Sequence, residues 1–579
     1  MQATLQAVLV DKFNAAIAKA FADWKEPSEI TQSTQEQFGH YQCNSCLKIA
    51  KAYKKNPREV ASSIVSLIET DPVFAKLEIA GPGFINITVA TSLLEERIND
   101  LLQDPFLGVP RPLKRKRVIV EYSSPNVAKE LHVGHLRSTI IGDSIARLFI
   151  FLGHDVLKLN HIGDWGTQFG MLITYLEEEH PDVLSGKQET DLEHLMQWYK
   201  SSKIRFDENP VFKKKAQLKV VQLQGGDLAA KKAWEIICEI SRKAFQAIYK
   251  ILDVEIVERG ESFYNPFLPE VVADFEKKGL ITVSDGAKCV FLDGITGRDG
   301  APLPMIIQKS DGGYNYETTD VAAIRHRVDV EKAERIIYLT DAGQALHFDM
   351  VFQAAAKAGY YDPAKVELNH VTFGVVLGLD GKKFKTRSGE TEKLIDLLTE
   401  AVDRARVIVQ ERLPEVSSEE QEEIAHTLGI GAVKYADLSG NRVKDYIFSY
   451  DRMLKFEGNT AAFLLYAFVR IQGIKRKGNR DIASLINSSK VALTHSQEVK
   501  LALHLAQFGE VLTAITKDLL PNRLADYLYT LAEHFNAFYR DCRVEGSEYE
   551  DSRLLLCEAT GLVLQRGLNL LGLRTTERM

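Results

Sequence analysis

Two histidines, His132 and His135, lie three residues apart around Gly134 in the segment PNVAKELHVGH. β-branched residues precede this segment at 118–120, and apolar residues recur at helical spacing after it, over 136–152. In a loop between a strand and a helix, imidazoles can donate hydrogen bonds to phosphate oxygens, glycine admits a ligand close to the backbone, and the helix N-terminus favours an anion. Two ordinary surface histidines are the alternative, but open α/β sheets bind ligands at this place. The pattern therefore predicts a phosphate-binding loop.

A second group of polar residues has the types that suit a guanidinium. Tyr316 and Asp320 are four residues apart in YETTD, hence on one face of a predicted helix, and Gln344 follows the strand pattern RIIYLTD. Asp320 supplies charge-assisted, bidentate acceptors, while a phenol and an amide fix orientation. A tyrosine and an aspartate at this spacing are more often a plain helix surface, so the spacing to Gln344 and the flanking sequence carry the prediction.

The elements that must position these groups belong to an interrupted nucleotide-binding fold between about 113 and 390. Strand patterns lie at 117–122, 156–160, 335–341 and 366–374. Helical segments and a hairpin-like KCVFLDG form an insertion at about 175–300. Two half-sheets separated by an insertion predict a Rossmann-type, doubly wound parallel sheet. Two unrelated α/β domains are the alternative.

Length and composition describe an ordinary multidomain protein. With 579 residues the chain is too long for one core and implies about three or four domains. Besides the α/β domain we predict an N-terminal α+β domain over 1–110, a helical region over 391–458 and an all-helical bundle over 459–579. The N-terminus resembles no signal peptide and no run of about 18 apolar residues occurs, so we expect a cytoplasmic protein.

Charge and cysteine usage exclude some classes of site. The net charge of −7 argues against a protein that coats nucleic acid indiscriminately, but it leaves room for a local basic path. Candidate basic patches lie at 114–117, 213–215 and 475–480, and each is more often a solvated face. The six cysteines include one CxxC, Cys43 and Cys46, without a second pair spaced for zinc. We therefore expect reduced thiols and no protein metal site.

Longer strings of the sequence resemble one family. HVGH resembles the HIGH signature of class I aminoacyl-tRNA synthetases, and EYSSPNVAKELHVGHLRSTIIGD resembles the arginyl subgroup. LGLDGKKFKTRSGE is similar to the KMSKS loop of that subgroup, and FEGNTAAFLLYAFVRI to a string in its helical domain. One departure is Thr386, which stands where the loop's second lysine is expected; family members that lack it use a lysine ahead of HIGH, and Lys129 matches that position.

The resemblance implies an arginine–tRNA ligase that activates arginine with ATP and transfers it to the terminal adenosine of its tRNA. No side-chain nucleophile is needed, because the chemistry rests on positioning and charge stabilisation. The catalytic residues implied are His132, His135, Lys129, Lys383, Lys385 and Arg387. Those implied for ATP are His132, Gly134, His135, Lys383 and Lys385, with Mg²⁺ arriving on ATP. Those implied for arginine are Glu121, Ser124, Asn126, His135, Tyr316, Asp320 and Gln344.

The resemblance also implies partners and assembly. The N-terminal domain would contact the tRNA elbow, although His40 stands where the family has an aspartate. The helical bundle would bind the anticodon, for which Phe463, Tyr466, Phe468 and the chain end at Met579 are candidates. Family members are monomers and need bound tRNA before arginine is activated.

Two other classes of protein share parts of this pattern. A small-substrate nucleotidyltransferase would share the HxGH loop, but the helical C-terminal third and the guanidinium pocket disfavour it. A catalytically silent RNA-binding relative is disfavoured by the intact HVGH, Tyr316, Asp320 and Gln344. Within class I, a cysteinyl enzyme would need metal-ligating cysteines and a glutamyl enzyme a cationic pocket.

Overall fold

A computed structural model describes residues 3–297, 299–384, 393–478 and 480–579, apart from the side chain of Glu36. The chain forms two compact units. The first comprises Met1–Leu113, Arg412–Glu420 and Lys455–Met579, and the second comprises Lys114–Glu411 and Gln421–Leu454. In the described ranges, every helix is too short or too polar to cross a lipid bilayer. The first unit thus contains residues from both ends of the given chain, and the second unit contains residues from its middle.

The N-terminal part of the first unit is a small α+β structure. Its elements are α1 (Leu5–Ala20), β1 (Ile30–Gln32), a 3-10 helix (Glu36–Phe38), β2 (Tyr41–Cys43), α2 (Ser45–Tyr53), α3 (Pro57–Val65), β3 (Phe74–Ala80), β4 (Phe84–Val89) and α4 (Thr91–Gln103). The strands form an antiparallel sheet in the order β1-β2-β4-β3. Leu9, Phe13 and Ile17 recur on one face of α1 and are buried, so amphipathic periodicity explains how this helix packs.

The second unit is built on a parallel sheet with an insertion. Its elements to the end of the sheet are β5 (Arg117–Glu121), α5 (Val133–Phe151), β6 (Asp155–Asn160), α6 (Thr167–Glu179), α7 (Pro181–Leu184), α8 (Leu192–Glu208), α9 (Pro210–Gln224), α10 (Leu228–Ile251), β7 (Val257–Glu258), a 3-10 helix (Glu261–Phe267), α11 (Leu268–Lys277), β8 (Thr282–Ser284), β9 (Ala287–Thr296), β10 (Pro302–Gln308), α12 (Tyr316–Asp329), β11 (Arg335–Asp341), a 3-10 helix (Ala342–Gln344), α13 (Ala345–Lys357), β12 (Glu367–Phe373) and β13 (Val376–Leu377). The five-stranded sheet has the order β12-β11-β5-β6-β7, with every pair parallel.

The central strand β5 is buried on both faces. Val118, Ile119 and Val120 are each 0% exposed, as expected of a β-branched run in a parallel sheet covered by helices. The insertion adds helices and a separate antiparallel sheet in the order β10-β9-β8. Within it, Lys215 pairs with Glu178 and Lys219 with Glu177, so acidic residues of α6 partly neutralise the basic face of α9.

After the sheet, the second unit continues with α14 (Leu394–Arg412), α15 (Ser418–Leu438), β14 (Tyr446–Ile447) and α16 (Tyr450–Met453). β14 pairs in parallel with β13. A buried ion pair joins Arg137 of α5 to Asp437 of α15, with Nε and Oδ2 2.9 Å apart. Arg137 also donates to the carbonyls of Gly374, Lys444 and Arg442. The helix after HVGH is thus tied to the backbone that flanks the β13–β14 pair.

The C-terminal part of the first unit is helical. Its elements are α17 (Ala461–Lys477), α18 (Ile482–Ser488), α19 (Ser496–Ala506), α20 (Phe508–Asp518), α21 (Asn522–Asp541) and α22 (Glu550–Leu570). Thr460 caps α17 by accepting the N–H of Phe463, which agrees with the helix start predicted at 459–460. Phe468 is buried in this helical core, whereas Tyr466 is 38% exposed.

The two ends of the chain meet at Glu510 of α20. Its carboxylate accepts the backbone N–H of Gln6 at 2.7 Å, the Tyr41 hydroxyl at 2.8 Å and the Gln32 amide at 2.8 Å. Burial raises the pKa of Glu510, and these three donors oppose that effect. One buried carboxylate therefore connects the N-terminal sheet with the C-terminal helices inside the first unit.

The predicted fold class is confirmed: a parallel Rossmann-type sheet with an insertion, an N-terminal α+β part and a helical C-terminal part. Strand boundaries agree with the sequence patterns to within one residue. Helix α5 begins at Val133, three residues before the predicted range of 136–152, because His132 caps it. The domain boundaries at 110, 390 and 458 stay predictions. The six cysteines, all within the described ranges, are free and buried.

Candidate active site

The strand order creates a crevice beside HVGH. From β5 the chain passes through α5 to β6 on one side, whereas β11 and β12 lie on the other side of β5. Connections that leave in opposite directions open a gap outside the carboxyl ends of β5 and β11, which is where open α/β sheets bind ligands. Ser138 of α5 spans this point: its hydroxyl accepts the N–H of Ser123 and donates to the carbonyl of Leu339 in β11.

The two histidines of HVGH form a reciprocal cap at the N-terminus of α5. His132 Nδ1 accepts the N–H of Gly134 at 3.1 Å, and His135 Nδ1 accepts the N–H of His132 at 3.2 Å. The ring centroids are 4.1 Å apart. Because each Nδ1 accepts a backbone N–H, each neutral ring carries its proton on Nε2. The cap therefore leaves two Nε2–H donors for a ligand.

Both histidines are held neutral. Burial, and after it the charges of His132 and Lys129, lower the pKa of His135 to about 3. Burial and the charge of Lys129 lower the pKa of His132. A neutral pair beside a lysine keeps the positive charge on Lys129, whose side chain is exposed. The motif thus offers hydrogen-bond donors with a separate cation close by.

The loop after β5 is conformationally strained. Ser123, Ser124 and Ala128 adopt φ of 70°, 47° and 61°, a region that non-glycine residues occupy at about 1–3 kcal/mol each and that clusters at functional sites. The N–H of Ser124 donates to Asn160 Oδ1 at 2.9 Å. Its hydroxyl oxygen is buried and has no hydrogen-bond partner among the described residues. Ser124 is therefore held in place by its backbone, while its buried hydroxyl is left unpaired.

Asn126 lies at the point where the loops after β5 and β6 meet. It forms a bridge with Gly163, and a Cβ on Gly163 would lie 2.0 Å from Asn126 Oδ1. A side chain at position 163 would require the Asn126 amide to move. The bridge holds the Asn126 backbone against the segment that carries His161, and its side chain is exposed.

Glu121, at the end of β5, pairs with an arginine of the protein itself. Its Oε2 lies 2.5 Å from an Nη of Arg327 in α12, and both side chains are buried. Burial lowers the pKa of Arg327, but the surrounding phenols and Glu121 outweigh it, so the net shift is upward. The predicted role of Glu121 as an ammonium partner therefore has to share this carboxylate with Arg327.

Asp320 is the centre of a second cluster. Its Oδ2 lies 2.6 Å from His347 Nε2 of α13, and its Oδ1 lies 3.8 Å from His161 Nε2. The Tyr316 ring packs against His347 with centroids 5.0 Å apart. Burial raises the pKa of Asp320, but the hydrogen bond and charge of His347 hold it below its usual value. Asp320 is thus ionised.

More acidic groups surround Asp320. Burial, followed by the charges of Asp320 and Asp164, raises the pKa of Glu261 to about 8. Burial also raises the pKa of Glu317. Asp164 accepts from the N–H and the hydroxyl of Ser262 at 2.8 and 2.6 Å. The charge of Asp320 thus helps to keep the neighbouring Glu261 protonated, and a bound cation would favour its ionised form.

Gln344 ends the 3-10 helix after β11 and is exposed. It lies three residues before His347, so the same short segment carries both side chains. The structure joins Tyr316 and Asp320 through His347, which contacts both of them, and does not bring Gln344 into this contact. All three stand at the carboxyl edge of the sheet, as HVGH does.

The described residues on the two sides of the lysine-rich loop contact β13 and the segment before HVGH. Lys383 forms a bridge with Leu377 of β13. Lys385 and Arg387 lie outside the described residues. The chain is described again from Lys393, whose ammonium pairs with Glu130 at 3.0 Å, and the N–H of Leu394 donates to the carbonyl of Leu131 at 3.0 Å. The described structure thus resumes next to His132.

Comparisons with known proteins agree along the whole chain. Residues 97–450 match the family model for the catalytic domain of class I tRNA synthetases (R). A relative from Protochlamydia amoebophila described as arginine–tRNA ligase is 60% identical over 100% of both chains. The chain belongs to the arginyl-tRNA synthetase family. Residues 7–89 match the arginyl tRNA synthetase N terminal domain, and residues 464–579 match the DALR anticodon binding domain.

Other members of the family support the assignment. An arginine–tRNA ligase from Nostoc sp. is 52% identical over 100% of both chains. The arginyl-tRNA synthetase of Plasmodium falciparum has a similar structure, with a TM-score of 0.87, 33% identity and 100% coverage of both chains. The Thermus thermophilus enzyme shares the fold, with a TM-score of 0.80 at 24% identity, over 99% of this chain and 100% of that one.

Sequence reasoning missed three side chains that the structure places against predicted site residues of this arginyl-tRNA synthetase: His161 and His347 beside Asp320, and Arg327 beside Glu121. His161 directly follows the strand that ends at Asn160, and residues just past a parallel strand are candidates for a site, so a signal was present. His347 is three residues past Gln344 and looked like an ordinary residue of a helix. Arg327 is on α12, and its pairing with Glu121 depends on sheet geometry that no local pattern encodes.

Proposed function

We propose that this arginine–tRNA ligase activates arginine in the crevice outside the carboxyl ends of β5 and β11. The observation that carries the proposal is an ionised, largely buried Asp320 at the same sheet edge as the paired donors of HVGH. A carboxylate on one side and phosphate donors on the other suit a cationic amino acid that meets ATP. The two substrates then lie close enough for the arginine carboxylate to attack the α-phosphorus.

The guanidinium is held by Asp320, with Tyr316 and Gln344 fixing its orientation. A planar fork of five N–H donors matches a carboxylate, whereas a lysine ammonium leaves pocket groups unpaired. Each buried unpaired group costs about 1–3 kcal/mol, so two such losses give a discrimination of about a hundredfold or more. Burial raises the pKa of Glu261 and of Glu317, so the negative charge that attracts the cation lies on the ionised Asp320.

The backbone end of arginine is held by the loop after β5. Ser124 offers its hydroxyl, and Asn126 offers an exposed amide on a backbone that is bridged to Gly163. Glu121 contributes negative charge near the ammonium and shares that charge with Arg327. His135 lies at the junction of the two substrates and can donate to either from Nε2.

The triphosphate of Mg-ATP is held by HVGH and the lysine-rich loop. His132 and His135 donate from Nε2, Gly134 admits the phosphate close to the backbone, and the N-terminus of α5 favours its charge. Lys129, Lys383, Lys385 and Arg387 balance the charge that builds up on the pentavalent phosphorus and on the leaving pyrophosphate. No protein nucleophile takes part. A ribose hydroxyl of the tRNA 3′-adenosine then attacks the activated carbonyl and AMP leaves.

We also propose how the first unit acts on tRNA. The N-terminal part contacts the tRNA elbow and the helical part the anticodon, where the exposed Tyr466 and the partly exposed Phe463 and Met579 can meet unstacked bases. Bound tRNA is required before arginine is activated. The enzyme acts in the cytoplasm, and it acts as a monomer. Sedimentation velocity at micromolar concentration tests the oligomeric state directly.

Replacing Asp320 tests the arginine site. Asp320→Asn keeps the side-chain shape and removes the charge, so kcat/KM for arginine should fall by about 10²–10³, the equivalent of losing a buried charge pair. The KM for ATP should change little. Asp349→Asn is the matched control, since Asp349 is exposed on α13. The measurement is tRNA charging with arginine and lysine; equal activity of the two variants would exclude Asp320 from the site.

A further inference from the structure

Asp320 is already partnered on both sides. Its Oδ2 contacts His347 Nε2 at 2.6 Å and its Oδ1 faces His161 Nε2 at 3.8 Å. A guanidinium that binds this carboxylate in a fork needs both oxygens. If His347 stayed charged, two cations would then share one carboxylate in a largely buried site. When a guanidinium binds Asp320, one positive charge must therefore leave the site.

His347 is positioned to hold a proton while Asp320 has no other cation. Burial lowers the pKa of His347, but the hydrogen bond and charge of Asp320, then the charges of Glu317 and Glu121, raise it overall. The other titratable or charged groups that face this pair are Tyr316, Glu261, His161, Arg327 and His370. Arg327 is already neutralised by Glu121. Among these groups His347 makes the shortest contact with Asp320.

We propose that His347 is the counter-ion of Asp320 until arginine arrives, and that the incoming guanidinium expels one proton from His347 to solvent. This rests on the proposed placement of the guanidinium on Asp320. In this exchange the imidazolium of His347 loses its Nδ1 proton to the buffer, and the neutral ring keeps Nε2–H as a donor to Asp320. No covalent bond to arginine forms. Arginine binding is then an exchange of one cation for another, and its affinity rises with pH.

Calorimetry on the full-length protein measures this proton. Arginine is titrated at several pH values between 6 and 8 in phosphate and in Tris, whose ionisation enthalpies differ, and the difference in heat counts the protons released. Wild type should release up to one proton. Its Kd for arginine should fall by up to about tenfold per pH unit while His347 titrates, because a proton and the ligand compete.

Three variants assign the source. His347→Gln keeps an N–H donor without titrating, so it should bind arginine with no proton release and with a pH-independent Kd. His370→Gln removes a histidine from β12 that contacts Thr340, and it should behave like wild type. Glu261→Gln matters because Glu261 also faces Asp320 and can lose a proton when a cation binds. Release that persists in His347→Gln and disappears in Glu261→Gln overturns the proposal.

Wild type alone can still refute the proposal if a variant fails to fold. Equal heats in the two buffers across this pH range refute proton release from His347. Failure of the arginine site itself gives a different result: Asp320→Asn would then bind arginine as wild type does. Loss of binding in Asp320→Asn, together with buffer-independent heats in wild type, keeps the site and rejects only the proton exchange.

Discussion

The buried ion pair between Arg137 and Asp437 gives a prediction whose size follows from the structure. Both side chains are 1% exposed. Arg137→Met leaves Asp437 buried without its counter-charge, which costs about 3–5 kcal/mol. The carbonyl of Gly374, which accepts from Arg137 at 2.7 Å, also loses its donor, and an unpaired buried acceptor costs about 1–3 kcal/mol. We therefore expect Arg137→Met to lose about 4–8 kcal/mol of unfolding free energy.

Removing both charges should recover most of that loss. In Arg137→Met/Asp437→Leu no charge is stranded, and only the carbonyl acceptors remain unpaired, so the expected loss is about 1–3 kcal/mol. The double variant should therefore be about 3–5 kcal/mol more stable than Arg137→Met, and Asp437→Leu alone, which strands Arg137, completes the double-mutant cycle. Arg404→Met is the control: Arg404 pairs with Glu400 on the surface, where such a pair contributes less than about 1 kcal/mol.

The assay is denaturant unfolding followed by tryptophan fluorescence. Trp165, Trp198 and Trp234 all lie in the second unit and report on it. A pH series adds a signature: burial already raises the pKa of Asp437 while Arg137 lowers it, so in Arg137→Met the folded pKa rises further. Folding then takes up a proton, and the deficit should shrink as pH falls from 8 to 5. Single losses that simply add in the double variant would refute the reasoning.

Two further predictions concern the site. His132→Ser keeps an N-cap side chain but removes the Nε2–H donor. The free energy of unfolding should therefore change by less than about 1 kcal/mol, while the rate of adenylate formation falls by about 10²–10³. Unfolding measures the first effect and pyrophosphate exchange the second, and a loss of stability without a loss of rate would show that His132 acts only as a helix cap. The pKa of Glu261 is raised to about 8 from 4.5, so folding retains a proton there and stability falls as pH rises between these values; Glu261→Gln should flatten that slope in thermal unfolding at pH 5 to 8, and an unchanged slope would contradict a buried neutral acid.

The predictable parts of this protein are those that short sequence patterns encode. The β-branched run of β5 and the apolar spacing of α5 were enough to predict the first half of the sheet. The resemblance of HVGH and the sequence around it was enough to predict the family. The pairing of Glu121 with Arg327 was out of reach, because 206 positions separate the two residues (327 − 121) and only the β5–β11 register brings them together. His347 was missed for a related reason: a histidine within a helix becomes notable only when Asp320 is seen beside it.

The contacts of Glu510 can form only late in the synthesis of the chain. The groups it joins are far apart in the chain, since Gln6 and Glu510 are separated by 504 positions. At about 5–20 residues per second a ribosome needs about 25–100 s to make that length. For that interval the nascent sheet presents Tyr41 and Gln32 without their carboxylate. The amino-terminal sheet must therefore remain soluble on its own, or be shielded, until translation is almost finished.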